Sequence, residues 1–246
     1  MTDNASNDGA RSAIMTALTA LVFGFLGAAI WSISGLADNR TRTFLMENPE
    51  MLPEMAEALQ QRETSSRLAD AGPALYAEFP GAVLGNPNGT KTLVEFTDYN
   101  CPYCEASLKD VQRLVEGDPD LKIIVREWPI FEGSDVASRM ALAAARQGKY
   151  QEFHEKMFAI GPATPETVEQ AARLIGLDMA QATADAISDE VTAELARNQA
   201  LARQIGFTGT PAWVTGDTAI GGAIGYDGLK EALDEAGPRP EGSAEG

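Results

Sequence analysis

The position of the two cysteines constrains the fold most strongly, because they lie where the hydrophobic pattern changes. Cys101 and Cys104 stand in the stretch EFTDYNCPYCEASL and are the only cysteines of the 246-residue chain. The apolar run at residues 91–97 predicts a strand, and apolar residues then recur at helical spacing to about Val115. A second apolar run, LKIIVREW, follows. This order predicts a parallel strand–helix–strand unit with the cysteine pair where strand gives way to helix.

The remainder of the chain predicts an α/β fold that carries a helical insertion. A short strand and an Asn-Pro-Asn-Gly turn precede the strand at residues 91–97. Residues 134–205 are alanine-rich and helical in pattern, with no strand among them. A strand at Ala212–Val214, a tight turn, another strand and a closing helix are predicted after them. We therefore expect one compact domain over residues 75–236.

The N-terminal part of the chain predicts a membrane segment. Residues 12–37 contain no charged side chain and are long enough to cross a bilayer as a helix. A cleaved secretory signal is the alternative, although its apolar region would be shorter. Arg11 on one side and Arg40 and Arg42 on the other count against export. We nevertheless expect an anchor with the domain outside the cytosol, because a dithiol protein is suited to that compartment.

Between this segment and the domain, residues 38–74 predict a helical stalk or linker. Apolar residues recur at helical spacing within residues 41–70, but they are too few to form a core of their own. The segment is either a spacer or an oligomerisation stalk whose apolar stripe pairs with copies of itself. The polar ends of the chain, residues 1–11 and 237–246, are expected to be disordered.

Composition excludes two classes of function. The formal net charge of −17 argues against binding to a phosphate backbone, so no nucleic-acid partner is expected. With one histidine and two cysteines, the sequence barely has the ligands that a complete tetrahedral zinc site needs, so zinc is not expected. We therefore expect neither a metal nor an organic cofactor.

The cysteine pair has three possible roles: a structural disulfide, a Cu(I) half-site or a redox-active dithiol. A structural disulfide would close a very small loop and would remove little entropy from the unfolded chain. A Cu(I) half-site is chemically possible with soft thiolates, but it would need further ligands or two-coordination. A redox-active dithiol fits both the spacing and the position before a helix, and this interpretation is favoured.

The dithiol interpretation assigns each residue a chemical task. Cys101 lies at the helix N-terminus, where free N–H groups and the helix dipole stabilise an anion, so it is the expected nucleophile. Pro102 suits the first helical turn. Cys104, one turn further on, is expected to be more buried and to resolve the mixed disulfide. Glu95 on the preceding strand either faces solvent or lies beneath the dithiol and exchanges a proton with Cys104.

The motifs FTDYNCPYC and GTPAWV, together with the long helical stretch between them, resemble the bacterial DsbA-like branch of the thioredoxin superfamily over about residues 75–236. The resemblance implies a thioredoxin fold with an inserted helical domain. It assigns Cys101 as the nucleophile, Cys104 as the resolving cysteine and Glu95 as the buried acid. It also implies a cis peptide at Pro211, which sequence alone does not predict because most X-Pro bonds are trans.

The same resemblance implies how a client is held. Thr210 is expected to offer backbone hydrogen bonds to an extended client, next to Pro211, with Tyr103 also in contact. Tyr103 occupies the position of a histidine in DsbA. Its presence implies weaker stabilisation of the thiolate and a less oxidising disulfide.

The stretch FLMENPEMLPEMAEALQQRE resembles the N-terminal segment of ScsC-like and Com1-like proteins, some of which form trimers that isomerise disulfides. The resemblance implies an oxidoreductase on the periplasmic side of the inner membrane, acting on exported thiol or disulfide proteins with a membrane redox partner. Disulfide formation is the expected activity. An oligomeric isomerase or reductase and a Cu(I)-binding copper-tolerance protein are the alternatives.

The sequence also predicts the positions of four further residues. His154, the only histidine, is expected to be an ordinary residue of the helical domain. Arg126 is expected to place a charge near the dithiol from the adjacent strand. Trp128 and Trp213 are expected to be aromatics of the core or its rim.

Overall fold

The computed structural model describes residues 5–33 and 36–236, which form two compact units divided between Leu59 and Gln60. The predicted disordered tail, residues 237–246, lies outside the described residues. At the other end the first helix begins at Ala5, so residues 5–11 are helical rather than disordered. A helix nucleated in the apolar stretch extends through polar residues because propagation is far easier than nucleation.

The first unit consists of helices. It contains α1 (Ala5–Ile33), α2 (Leu36–Glu47) and the beginning of α3 (Met51–Ala71). Among the described residues, no helix is both long and apolar enough to span a membrane. The anchor expected at residues 12–37 is therefore not confirmed.

A turn at Asn48 separates α2 from α3. Its side-chain amide donates to the carbonyl oxygen of Phe44 at 2.7 Å, and its own carbonyl accepts from Met51 N–H. Pro53 lies in the first turn of α3, where a missing N–H leaves no helical bond unmade. Several apolar side chains of these helices are exposed, namely Phe44, Met46, Leu52, Met55 and Leu59.

The second unit is built on a five-stranded mixed sheet in the order β1-β3-β2-β4-β5. The strands are β1 (Val83–Gly85), β2 (Lys91–Thr97), β3 (Leu121–Glu127), β4 (Ala212–Thr215) and β5 (Thr218–Gly221). β2 and β3 are parallel, as the strand–helix–strand pattern predicted, and the other neighbouring pairs are antiparallel. The predicted strands at residues 91–97 and 212–214 are confirmed, the latter with one extra residue.

Helices fill the connections of the sheet. They are α4 (Pro102–Gly117), α5 (Asp135–Arg146), α6 (Tyr150–Ile160), α7 (Pro165–Leu174), α8 (Met179–Ala186), α9 (Asp189–Ile205) and α10 (Gly225–Ala236). The expected helical insertion corresponds to α5–α9. Its internal boundaries follow capping residues, for example Thr164, whose hydroxyl accepts from the N–H of Thr167.

The alternation of side chains along the strands creates two cores. Leu93, Val125 and Trp213 face a large cluster that includes α4, α10 and most of the insertion. Val94, Phe96 and Ile124 face a smaller cluster with the end of α9. The last turn of α3 contributes Leu68 and Ala71 to this second core, and Leu75 follows from a short 3₁₀ turn at Gly72–Leu75. The compact unit therefore starts within α3, upstream of the boundary near residue 75.

Candidate active site

The cysteine pair sits at the N-terminus of α4, directly after β2. Cys101 has extended backbone angles and caps the helix, and Pro102 occupies the first helical position. The carbonyl of Cys101 accepts hydrogen bonds from the N–H groups of Cys104 at 3.1 Å and Glu105 at 3.2 Å. The arrangement points the helix dipole at the Cys101 sulfur, which favours an anion there.

Cys101 faces the loop before β4. Its Sγ donates to the carbonyl oxygen of Thr210 at 3.1 Å, across 109 residues of sequence. The peptide bond between Thr210 and Pro211 is cis, as the resemblance implied. Both cysteines are free thiols and both are buried, with 1% of Cys101 and 2% of Cys104 exposed. The expectation that Cys104 would be the more buried of the two is not confirmed, because Cys101 is equally buried and contacts Thr210.

Cys104 is enclosed by groups that respond to its charge. Burial raises the pKa of the Cys104 thiol, and the neighbouring carboxylate of Glu95 adds to the increase. The Thr97 hydroxyl, the Asp98 N–H and the Thr210 hydroxyl act in the opposite direction, because they can donate to a thiolate. Both hydroxyls are buried and have no other hydrogen-bond partner among the described residues. They are therefore available to the sulfur when it ionises.

Glu95 lies on the face of the sheet that carries the dithiol. Its side chain is 2% exposed, so the solvent-facing alternative is excluded. In register it stands between Val125 of β3 and Trp213 of β4. Burial, and then the charge of Glu127, raises the pKa of Glu95 to about 8. A carboxyl group with this pKa can hold or release a proton near neutral pH.

Glu127 is a second buried acid, which the sequence analysis missed. It ends β3 opposite Thr97, on the same face as Glu95. Burial raises its pKa to about 8 even though its Oε1 accepts from the hydroxyls of Tyr150 at 2.7 Å and Tyr99 at 3.0 Å. The strand alternation between residues 125 and 127 could have indicated its face, but the register with β2 is not readable from sequence.

Arg126 is not near the dithiol. The expectation is wrong because alternation along β3 turns this side chain to the opposite face of the sheet, where it is fully buried. It pairs with Glu194 of α9 at 2.8 Å and donates to Asn198. It also donates to the carbonyls of Ala74, Leu75 and Ala77.

Asp98 and Asn100 attach the helical insertion to the site. Asp98 accepts from the N–H groups of Ile130 and Phe131 and from the Ser134 hydroxyl. Asn100 donates to the carbonyl of Glu132 and accepts from the N–H of Ala163. These bonds hold the start of the insertion beside the dithiol.

Tyr103 lies on the surface at the cysteine motif, with 65% of the residue exposed. Ile130 and Phe131 are also exposed, on the loop that Asp98 holds.

Trp128 and Trp213 are buried in the two cores, as expected. Within the described residues no three His, Cys, Asp or Glu side chains are grouped so as to hold a metal ion.

Comparison with known structures supports the fold around this site. Residues 92–234 match the family described as a DSBA-like thioredoxin domain. A thioredoxin-like oxidoreductase from Silicibacter pomeroyi DSS-3 is 44% identical, with a TM-score of 0.63, over 66% of this chain and 95% of that one. A linker-deleted mutant of Proteus mirabilis ScsC is 27% identical, with a TM-score of 0.68, over 81% of this chain and 94% of that one. The expected thioredoxin-like α/β fold is confirmed.

Curated relatives point in two directions. Disulfide bond formation protein D of Bacillus subtilis is 27% identical over 172 residues, 62% of this chain and 75% of that protein. The Na⁺/H⁺ antiporter NhaA of Herminiimonas arsenicoxydans is 32% identical over 132 residues, which cover 52% of this chain. The chain spans only 21% of that antiporter's length, so the similarity concerns one segment of it.

Proposed function

The chain belongs to the family of DsbA-like thioredoxin domains, and from that premise we propose that it is a thiol–disulfide oxidoreductase that forms disulfides in exported proteins. One observation carries the proposal. The thiol of Cys101 lies at a helix N-terminus against the Thr210 carbonyl, while Cys104 behind it is close enough to Glu95 for the carboxylate charge to raise its pKa.

The proposed reaction starts with the oxidised pair. A client thiolate attacks the Cys101 sulfur, the bond between the two cysteines breaks, and Cys104 leaves as a thiolate. The hydroxyls of Thr97 and Thr210 stabilise that thiolate until Glu95 delivers a proton to it. A second client thiolate then attacks the client sulfur of the mixed disulfide and releases Cys101 as a thiolate at the helix N-terminus.

The client is proposed to bind as an added strand. The Thr210 backbone beside the cis peptide offers hydrogen-bonding groups to an extended chain, and pairing there brings a client cysteine to Cys101. The exposed side chains of Tyr103, Ile130 and Phe131 supply an apolar rim around that position. The thiol and the rim together suit an unfolded client with exposed apolar residues.

The proposal places the domain on the periplasmic side of the inner membrane. Residues 12–37 serve as an anchor or an export signal, and a membrane redox partner regenerates the dithiol pair. A periplasmic thioredoxin-like protein from Salmonella enterica, 30% identical over 69% of this chain, supports this location.

A second candidate function is disulfide isomerisation by an oligomer. It is favoured by the exposed apolar side chains of α2 and α3, including Phe44, Leu52 and Met55. Side chains of this kind at helical spacing can associate between copies of a chain. The similarity to ScsC over most of the chain points to the same alternative.

One pair of assays separates these functions, with the full chain in detergent. The oxidised protein is mixed with a reduced multi-cysteine protein, and the reduced protein is mixed with the same protein carrying scrambled disulfides. Rapid oxidation without unscrambling supports the proposal, whereas efficient unscrambling supports the isomerase. A Cys104→Ser variant should accumulate mixed disulfides through Cys101, and a Cys101→Ser control should form none. Stoichiometric Cu(I) binding without any exchange would favour the copper alternative.

A further inference from the structure

A chain of buried hydrogen bonds leads away from the acid pair on the dithiol face. Glu127 Oε1 accepts from the Tyr99 hydroxyl, which lies 3.1 Å from Nδ1 of His154 on α6. All three residues are buried. His154 in turn forms part of the wall of a cavity of about 220 Å³ between α4, β1 and α6, which Gln151 and Glu155 also line. The sole histidine therefore lies between the buried Glu127–Tyr99 pair and a cavity that is lined by both apolar and polar side chains.

Glu95 lies near the other end of this chain, close enough for the charge of Glu127 to raise its pKa. Glu95 and Glu127 lie on neighbouring parallel strands, on one face, two positions apart in register. Each carboxyl group has its Oε2 buried without a hydrogen-bond partner among the described residues. Each of these buried oxygens lacks a donor, and bridging water between the two carboxyl groups would supply one to each. The groups that act on Glu127 from the surrounding elements are Glu95, Asp98, Tyr99, Ser138 and Tyr150, and His154 faces Tyr99.

We propose that Glu127, Tyr99 and His154 form a proton path that connects Glu95 with the cavity beside α4. The inference rests on the proposed function, because the path serves the proton that Cys104 exchanges with Glu95. It would let that proton enter or leave while a bound client covers the Cys101 side of the site.

Proton transfer along the path balances without an ion on the histidine. Before the transfer, protonated Glu127 donates to the Tyr99 oxygen and the Tyr99 hydroxyl donates to Nδ1 of His154. Each proton then moves along its hydrogen bond, and the proton on Nε2 of His154 is released toward the cavity. The transfer leaves the Tyr99 hydroxyl donating to Glu127 Oε1, which is the direction that the structure has. The imidazole changes tautomer and stays neutral, in agreement with the burial that lowers the pKa of His154 to about 3. Each contact keeps one hydrogen bond before and after the transfer.

Tyr150 offers an internal control for a purely structural role. Its hydroxyl donates to the same Oε1 of Glu127 at 2.7 Å, and it is equally buried. Its ring stacks on His154 at a centroid distance of 5.7 Å, but the Tyr99 hydroxyl is the one that bonds to the imidazole. Tyr99→Phe therefore interrupts the path, whereas Tyr150→Phe removes a comparable hydrogen bond and leaves the path intact.

The test uses the reduced full chain and glutathione disulfide as the probe, so it does not depend on the identity of the clients. Stopped flow follows the rate at which Cys104 resolves the glutathione mixed disulfide on Cys101, from pH 6 to 9. This range of about three pH units includes the pKa values of Glu95 and Glu127. Tyr99→Phe should slow resolution on the order of tenfold and alter its pH profile, and Tyr150→Phe less than about twofold. Equal slowing by the two variants would overturn the proposal.

A second measurement does not require a variant to fold. The single histidine gives one set of imidazole ¹⁵N resonances, recorded for the oxidised and reduced wild-type chain. A redox-dependent change of tautomer supports the path, and identical resonances in both states overturn it. If wild-type protein does not react with glutathione disulfide, the proposed function fails as well; if it reacts normally and the tyrosine variants behave alike, only the proton path fails.

Discussion

Arg126 and Glu127 are adjacent in sequence, and each is buried on a different face of the same sheet. Arg126 is surrounded by partners: a carboxylate, an amide oxygen and three backbone carbonyls. Glu127 has two tyrosine hydroxyls, and the acids that act on its pKa or that it acts on, Asp98 and Glu95, would carry the same sign. One face thus neutralises a buried charge, and the other brings buried acids together.

The difference separates structural from chemical use of a buried charge. A buried ion that is paired and hydrogen-bonded, as Arg126 is through both of its terminal nitrogens, has no reason to exchange a proton, and it holds its surroundings in one arrangement. Acids that are buried near one another without a cation have raised pKa values and exchange protons near neutral pH. The face with the unpaired acids is also the face that carries Cys104.

The largest expected effect on stability comes from removing Arg126, the paired charge on the face opposite the dithiol. Arg126→Met should lower the free energy of unfolding by about 3–5 kcal/mol, because buried Glu194 would keep only its half-exposed partner Arg197 and three carbonyls would lose their donor. Denaturant unfolding followed by the fluorescence of the two buried tryptophans measures this change.

The matched control for that prediction is Arg173→Met. Arg173 pairs with Glu169 on the exposed side of α7, so its removal should cost only about 0–1 kcal/mol. If the two variants lost similar amounts of unfolding free energy, burial would not explain the contribution of Arg126. The contrast drawn between the two faces of the sheet would then be wrong.

A smaller effect is expected on the acidic face, and it depends on pH. Burial raises the pKa of Glu95 in the folded state to about 8 from its ordinary value of 4.5, so between these pH values the folded state holds a proton that the unfolded state has lost. The free energy of unfolding should therefore fall as pH rises from about 4.5 to 8. Glu95→Gln should remove this contribution, which makes the variant more stable than wild type by about 2–4 kcal/mol above pH 8 and equal to it near pH 4.

Unfolding curves at several pH values test this sign. The exposed Glu105→Gln on α4 serves as the control and should leave the pH dependence unchanged. A wild-type protein whose stability rises from pH 5 to 8 relative to Glu95→Gln would mean that Glu95 is stabilised as an anion, contrary to its surroundings.

The smallest effect is expected where solvent screens the charge. Tyr103 is exposed at the first turn of α4, and Tyr103→His would place an imidazolium near the Cys101 thiolate. The disulfide should become more oxidising by about 30 mV, a tenfold change in its equilibrium constant, from a wild-type potential of roughly −120 to −270 mV. Equilibration with glutathione buffers measures both proteins. Tyr103→Phe, which adds no charge, should match wild type, and an equal shift in that variant would exclude the electrostatic cause.

Local features of the fold could be predicted because they depend on neighbouring residues. The strand at Lys91–Thr97, the helix beginning at Pro102 and the helical insertion all follow patterns that a short window contains. The cysteine pair and Glu95 could be found for the same reason, since Glu95 lies only six positions before Cys101.

The rest of the site depends on register and distant contacts. Arg126 was assigned to the wrong face because one position along a strand reverses the direction of a side chain. Glu127 and His154 were not associated with the dithiol, because Tyr99 joins them from 28 and 55 residues away. The burial of Cys101 depends on Thr210, which lies 109 residues further along the chain.

Arg126 donates hydrogen bonds to the carbonyls of Ala74, Leu75 and Ala77. These bonds affect where the domain can be cut when it is fused to another protein. These carbonyls belong to the segment that enters the sheet from α3, whose Leu68 and Ala71 fill the second core. A graft cut at residue 75 would separate these two side chains from their core, whereas a graft cut at residue 60 would carry them along. The unit that can be transferred is thus the dithiol domain together with the end of α3. Fusions to other anchors should fold when the junction lies upstream of residue 60.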